Sequence, residues 1–276
     1  MAEGRTLRLD VVVELGADPI RGRVGDGVHP AREFAGWLEL MSAVDGARAQ
    51  AAREAPPVQI YLFAGSNAVR TAVLMLAHKG IDHEVVTVER GAHITQLPAL
   101  GFSADTVPAV RIGERRIQGT RAIARALDDL SPQPRLFPAD PMARVLVEDA
   151  ERRGEELQNA ARRLFYWAIE RVAPTPMRRL AAEHHGVTDA AVRRDLSELP
   201  ARLDEIDAWI ADGVLGGDEL NAADFQIAPN VAWLPCFDDL APLAAGRPAQ
   251  AHASQIAGEN GAHVPAAFPR DWLPSP

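Results

Sequence analysis

The chain has 276 residues, 47% hydrophobic and 24% charged, which is enough apolar surface for one large or two medium cores and carries no compositional mark of disorder. Acidic residues outnumber basic ones, 38 to 29, for a formal charge of −9. A surface of that sign repels phosphate backbones and anionic lipid, so no nucleic-acid or membrane partner is expected.

Met1–Thr6 leads into polar residues without an apolar export segment, and no stretch approaches the roughly 20 apolar residues that span a bilayer, so a cytoplasmic protein is expected. Leu7–Leu15 alternates and is rich in valine, Gly16–Pro19 offers turn chemistry, and Ile20–Val24 can pair back as a hairpin. Ala31–Val44 then places Phe34, Trp37, Leu38, Leu40 and Met41 at helical spacing. Residues 1–50 are thus read as a hairpin-helix arm, too small to be stable alone. Residues 51–57 form a linker ending at Pro56-Pro57, within an alanine- and charge-rich stretch that starts near Ala47.

From Val58 the pattern changes. Val58–Ala64 reads as a strand, Gly65-Ser66-Asn67 as a turn, Ala68–His78 as a helix closed by Gly80, and Glu84–Val88 as a second strand, which makes a βαβ unit with parallel strands. His93–Ser103 has little periodicity. Pro108–Ile112 and Arg115–Ile117 flank Gly113-Glu114 as a tight hairpin, and Gly119–Leu130 is helical with Ile123, Leu127 and Leu130 on one face. Residues 131–140, rich in proline, form a second linker.

Everything from 141 to about 265 reads as helices, followed by a tail, 266–276. Leu157, Ala161, Leu164, Phe165, Ala168 and Val172 form a core-facing stripe, and Gly154 marks a possible bend in that long helix. Further helices are expected over Pro176–Glu183, Thr188–Leu199, Ala201–Ala211, Ala222–Leu234 and Pro248–Ala257. The single cysteine, Cys236, lies in an apolar run and reads as a buried thiol; it excludes an intrachain disulfide. No metal site is expected, because the adjacent His184 and His185 diverge on a helix. Gly213–Gly217 lacks the following Lys-Ser/Thr of a phosphate loop.

Four segments in order carry a family resemblance. Ser66 stands fourteen residues before Gly80 in a helix ending Lys79-Gly80-Ile81; Thr106-Val107-Pro108-Ala109-Val110 resembles a Val-Pro-Ala-Leu segment with a cis proline; Gly119-Thr120-Arg121-Ala122-Ile123 resembles Glu-Ser-x-Ala-Ile; and Leu220–Phe225 resembles a capping box with its hydrophobic staple. Together they resemble the glutathione transferase superfamily from Val58 to about Pro265. The resemblance implies an α/β thioredoxin-like domain (58–130), an all-α helical bundle domain (141–265) and a homodimer, with the small N-terminal hairpin-helix extension outside it.

It also implies a function: a glutathione S-transferase-like enzyme that activates glutathione or another low-molecular-weight thiol for attack on an apolar electrophile, without a metal. Only the thiolate attacks well, and a free thiol is mostly protonated at neutral pH. Ser66, before a helix N-terminus, is the catalytic candidate because its hydroxyl can donate to the sulfur where the dipole favours an anion; the plain alternative is an N-cap. In classes that use a first-strand tyrosine the spacing falls on Leu62, and Tyr61 is one position off. Asn67, Val107, Pro108, Gly119, Thr120 and Arg121 are the implied thiol-binding residues, and Arg163, Tyr166 and Trp167 the implied electrophile site.

Two positions depart from the resemblance. Thr106 stands where the family has Lys or Gln for the glycyl carboxylate, and Gly119 where it has Glu or Gln before the serine; Arg121, Arg70 or His93 can substitute. Arginine-rich, lysine-poor composition fits a GC-rich bacterial source, some of which use other thiols. A non-catalytic binding or regulatory protein of the same fold, or a thiol-dependent isomerase or dehalogenase, are the alternatives.

Overall fold

A computed structural model describes residues 7–27, 29–54, 57–258 and 260–274. The first six residues of the arm, Ala55 and Pro56 of the linker and the last two residues of the tail lie outside them.

The arm contains three strands rather than two. β1 (Asp10–Val13) pairs antiparallel with β2 (Arg21–Gly25), as the turn at Gly16–Pro19 predicts, and β3 (Arg32–Ala35) adds to the other edge of β2. The helix expected from Ala31 therefore starts later. Phe34 faces inward on β3 and buries against Val24, and Gly36, at φ 98°, breaks the strand before α1 (Trp37–Glu54). α1 continues through the stretch from Ala47 that was expected to open the linker, because alanine is the strongest helix former. Val24, Phe34 and Ala43 make a small core of their own, while Val11–Val13, Trp37, Leu38 and Met41 stay exposed.

The next unit is built from β4 (Val58–Leu62), α2 (Asn67–His78), β5 (Glu84–Thr87), α3 (His93–Ala99), β6 (Ala109–Ile112), β7 (Arg115–Gln118) and α4 (Thr120–Leu130). Its sheet has the order β5-β4-β6-β7, with β4 and β5 parallel and the remaining pairs antiparallel. Strand alternation divides the burial between two faces. Val58 and Ile60 join the main core with Met75 and Leu76 of α2 and Ile123 and Leu127 of α4. Tyr61 turns the other way, into a cluster with Leu97 and Phe102, where its hydroxyl donates to Gln59 Oε1 at 3.1 Å. α3 occupies a stretch without apolar periodicity; Leu97 is its one buried residue, so it displays no stripe to read.

The remainder is helical: α5 (Pro141–Val172), α6 (Pro176–His184), α7 (Asp189–Ala211), α8 (Ala222–Val231), the short α9 (Ala241–Ala244) and α10 (Pro248–Ala257). The two helices expected over 188–211 are one. Val192, Leu196, Leu199, Leu203 and Ile206 form a single buried stripe across Pro200, and that packing outweighs the hydrogen bond the proline removes. Gly154 serves close approach: a Cβ there would stand 2.8 Å from Ile227 Cγ1 and 2.9 Å from Gln226 Cγ. It lets α5 lie against α8, every residue of which is buried. The capping box is present, and Asp224 also accepts from Gly216 N at 2.9 Å, which ties the glycine-rich loop to the start of α8. Among the described residues no helix is long and apolar enough to cross a membrane.

Candidate functional site

Ser66 is extended (φ −107°, ψ 122°) at the N-cap of α2, and Gly65 before it has φ 83°. Its Oγ accepts from Val69 N at 3.4 Å and its carbonyl accepts from Arg70 N at 3.0 Å. A hydroxyl has two acceptor lone pairs and one donor hydrogen. Capping uses an acceptor, so the O–H keeps its capacity to donate. The first turn of α2 holds no acidic residue, which leaves the positive end of the helix uncompensated from within.

Asn67 is fastened from behind. Its Nδ2 donates to Asn230 Oδ1 at 3.1 Å, Asn230 Nδ2 donates to Gln226 O at 2.8 Å, and Gln226 Nε2 donates to Gln158 Oε1 at 3.1 Å. This chain of amides, buried beyond Asn67, runs from the Ser66 turn through α8 to α5 and ties the turn to both helices. Nothing local marks Asn230 or Gln158 in the sequence, since their partners are remote.

Val107–Pro108 is cis. The loop before it is clamped by Gln118, whose Oε1 accepts from Ala104 N at 2.8 Å and whose Nε2 donates to Thr106 O at 3.0 Å and Ala104 O at 2.8 Å. Gln118 escaped the sequence reading because a half-buried glutamine at a strand end has no local signature. Gly119 lies at φ 83° with open space where a Cβ would stand, so glycine answers a backbone requirement and removes the side chain that the resemblance expects there. Thr120 is buried at the first position of α4.

The arginines considered as substitutes are committed elsewhere. Arg121 Nε stands 3.2 Å from Glu151 Oε2 and its Nη1 stands 3.7 Å from Glu155 Oε2, while Arg125 Nη1 stands 2.9 Å from the same Glu151 oxygen. Burial pushes the Glu151 carboxyl up and the two guanidinium groups pull it back. Arg70 donates to the carbonyls of Ala257 and Gly258 at the end of α10. His93 Nδ1 faces Gly91 N at 3.0 Å, and its ring meets Phe63 edge-on.

The three expected electrophile-site residues separate. Arg163 makes a two-pronged pair with Asp195, at 2.6 and 2.8 Å. Trp167 is 3% exposed, stacked on Phe268, with Nε1 donating to Asp189 Oδ1 at 3.0 Å, so it belongs to the core of the helical unit. Their helical spacing gave no means of telling core from cleft. Tyr166 is half-buried and its hydroxyl accepts from Arg90 Nη1 at 3.4 Å. Arg90, which the sequence gave no reason to single out, also donates to Ala64 O at 2.9 Å, two residues before Ser66.

Cys236 is buried, its Sγ donating to Asn260 O at 3.4 Å, and burial raises its pKa, so this thiol is structural. Among the described residues no cluster of three or more His, Cys, Asp or Glu side chains is arranged to hold a metal.

Residues 60–135 match the family described as glutathione S-transferase, N-terminal domain. The chain is similar to a glutathione S-transferase domain-containing protein of Marinobacter aquaeolei VT8, with 19% identity, 72% of this chain and 95% of that one covered, and a TM-score of 0.57. Glutathione transferase F2 of Populus trichocarpa matches with 18% identity over 74% of this chain and 94% of that one, at a TM-score of 0.58. A rice glutathione S-transferase solved in complex with glutathione matches with 17% identity over 74% and 82%, at a TM-score of 0.51. No curated protein matches the chain in sequence.

Proposed function

We propose that this chain, which has the fold of the glutathione S-transferase superfamily and carries its N-terminal domain over residues 60–135, is a thiol transferase that holds a low-molecular-weight thiol as thiolate at Ser66 and directs it at an electrophile in the cleft beside α5. The observation that carries the reading is the geometry of Ser66, a helix N-cap that spends an acceptor and keeps its donor. The donor and the positive helix end act together on the thiol pKa, lowering it toward neutrality so that a larger fraction is nucleophilic. The backbone of Val107 and the N-terminus of α4 at Thr120 are the remaining contacts for a peptide-like thiol, and a homodimer is part of the proposal.

A second reading follows from Arg70 and Arg121. Both are committed to other partners, and Thr106 and Gly119 supply no charged group, so glutathione's two carboxylates lack the counter-charges the resemblance implies. That favours a thiol with fewer carboxylates over glutathione itself. Melting temperature with glutathione and with N-acetylcysteine separates the two. A ligand at 100 times its dissociation constant adds about 2.7 kcal/mol. A shift with glutathione supports the family's usual co-substrate, a shift with N-acetylcysteine alone supports the substituted thiol, and no shift with either makes the chain a non-catalytic binding protein.

A further inference from the structure

Two arginines around Tyr166, Arg90 and Arg162, have no ion-pair partner among the described residues, and the first of them also borders the Ser66 turn. Arg90 lies over Phe63, 4.5 Å from its centroid, and donates to Ala64 O and Tyr166 Oη. It also borders the Ser66 turn, since a Cβ on Gly65 would stand 3.4 Å from its Nη2. Tyr166 stacks on His185 with ring centroids 5.1 Å apart. Arg162, half-buried on the same helix as Tyr166, is within electrostatic reach of both Tyr166 and His185, and its side chain donates to Asn159 Oδ1 at 3.2 Å.

Neither Arg90 nor Arg162 has an ion-pair partner among the described residues, whereas Arg163 beside it is saturated by Asp195. The acids whose charges reach this cluster are Glu155, already shared with Arg121, and Asp105, which faces His185. Burial disfavours the charged form of Arg162, and Arg163 adds to the repulsion. Arg90 is exposed and stays hydrated, whereas the half-buried Arg162 loses hydration with only the charge of Glu155 to offset it and no ion pair, which is costly. The missing partner is therefore the ligand's. Guanidinium forks bind planar oxyanions in two-pronged fashion, which favours a carboxylate.

We propose that the electrophilic substrate of this cleft carries a carboxylate, held by Arg162 and Arg90 around Tyr166, so that organic acids are selected over neutral electrophiles of the same shape. This rests on the transferase reading above. With 4-chloro-3-nitrobenzoate as probe, the thiolate sulfur bonds the ring carbon that bears chlorine, the carbon–chlorine bond breaks and chloride leaves, and the thiol's proton passes to solvent.

The test compares 4-chloro-3-nitrobenzoate with its methyl ester in the full chain, in Arg162→Met and in Arg90→Met. Binding of 3-nitrobenzoate, which has no leaving group, is measured by calorimetry in the same proteins. The acid is expected to have the higher kcat/KM in the unmodified chain. That preference should fall about tenfold in either variant, the effect of one charge-assisted hydrogen bond, and mainly through KM. Calorimetry should show weaker 3-nitrobenzoate binding by a similar factor. Preference for the ester, or an acid preference and 3-nitrobenzoate affinity untouched by both substitutions, overturns the inference. If neither probe reacts with glutathione or N-acetylcysteine while 3-nitrobenzoate still binds through Arg162, the carboxylate site stands and the transferase reading falls. If 3-nitrobenzoate does not bind and neither probe reacts, both are overturned.

Discussion

The chain's single lysine, Lys79, is fully buried at the end of α2, with its Nζ 2.7 Å from Asp128 Oδ1 on α4. The same Nζ donates to Pro134 O at 2.6 Å, and Asp128 Oδ1 also accepts from Leu136 N at 2.8 Å. Two helices of the thioredoxin-like unit and the proline-rich segment leading to α5 are thus joined at one buried charge pair. Burial lowers the Lys79 pKa, opposed by Asp128. Removing one member of such a pair leaves the other charged and unsatisfied, so Lys79→Met and Asp128→Asn should each destabilise by about 3 to 5 kcal/mol. The double variant should cost clearly less than the sum. Urea unfolding of the four proteins measures this; additive effects would mean the pair is uncoupled.

Ser66→Ala separates the two uses of one hydroxyl. The cap bond is long, so stability should fall by no more than about 1 kcal/mol. Turnover with a model electrophile should drop about a hundredfold, the cost of one preorganised donor to a developing or resident anion. Ultraviolet difference absorbance of the bound thiolate should show its pKa rising in the variant. Unchanged turnover would leave Ser66 as a cap alone.

Gly154→Ala sets helix propensity against packing. In an exposed helix it would add about 1 kcal/mol of stability. Here the new methyl meets the side chains of Ile227 and Gln226, 2.8 and 2.9 Å away on the buried α8. The expected result is a net loss of about 1 to 2 kcal/mol and a lower melting temperature; a gain would show that α8 gives way.

His185 makes stability depend on acid. Its pKa is lowered from 6.5 to about 4, first by burial and then by the charge of Arg162. Between those values the unfolded chain binds more protons than the folded one, so stability rises with pH across that window. The contribution is complete above pH 6.5 and is lost as pH falls toward 4. His185→Gln should flatten the dependence of the urea midpoint on pH between 4.5 and 6.5; an identical slope would place the acid sensitivity elsewhere.

Most elements between β4 and α10 were legible because they rest on local signals. Alternation in Val58–Leu62, the Ser66 and Asn221 caps, the Gly113 turn and the stripe of α5 each need only neighbours in sequence. β3 and α3 were hidden for opposite reasons. β3 sits in a run whose apolar residues also satisfy a helical spacing, and only Gly36 and the burial of Phe34 against Val24 decide for a strand. α3 buries one residue and so has no periodicity to display. Pro200 misled because a proline penalty is local, whereas the buried stripe that overrides it comes from α7 packing on other helices.

The candidate site divides along the same line. The Ser66 cap was legible from local residue preferences, while the cis Val107–Pro108 bond and the parts given to Gly119 and Thr120 came from the family resemblance. That Arg121 is taken by Glu151 and Glu155, Arg163 by Asp195 and Arg70 by the end of α10 was decided by tertiary structure alone, since a long cationic side chain chooses its partner by distance in space. The same rule left Arg90 and Arg162 without an ion-pair partner among the described residues. The sequence by itself determined the fold type and the helix caps, because these rest on neighbours in the chain; only the packed structure decided which charged side chains are paired, because their partners are remote in sequence.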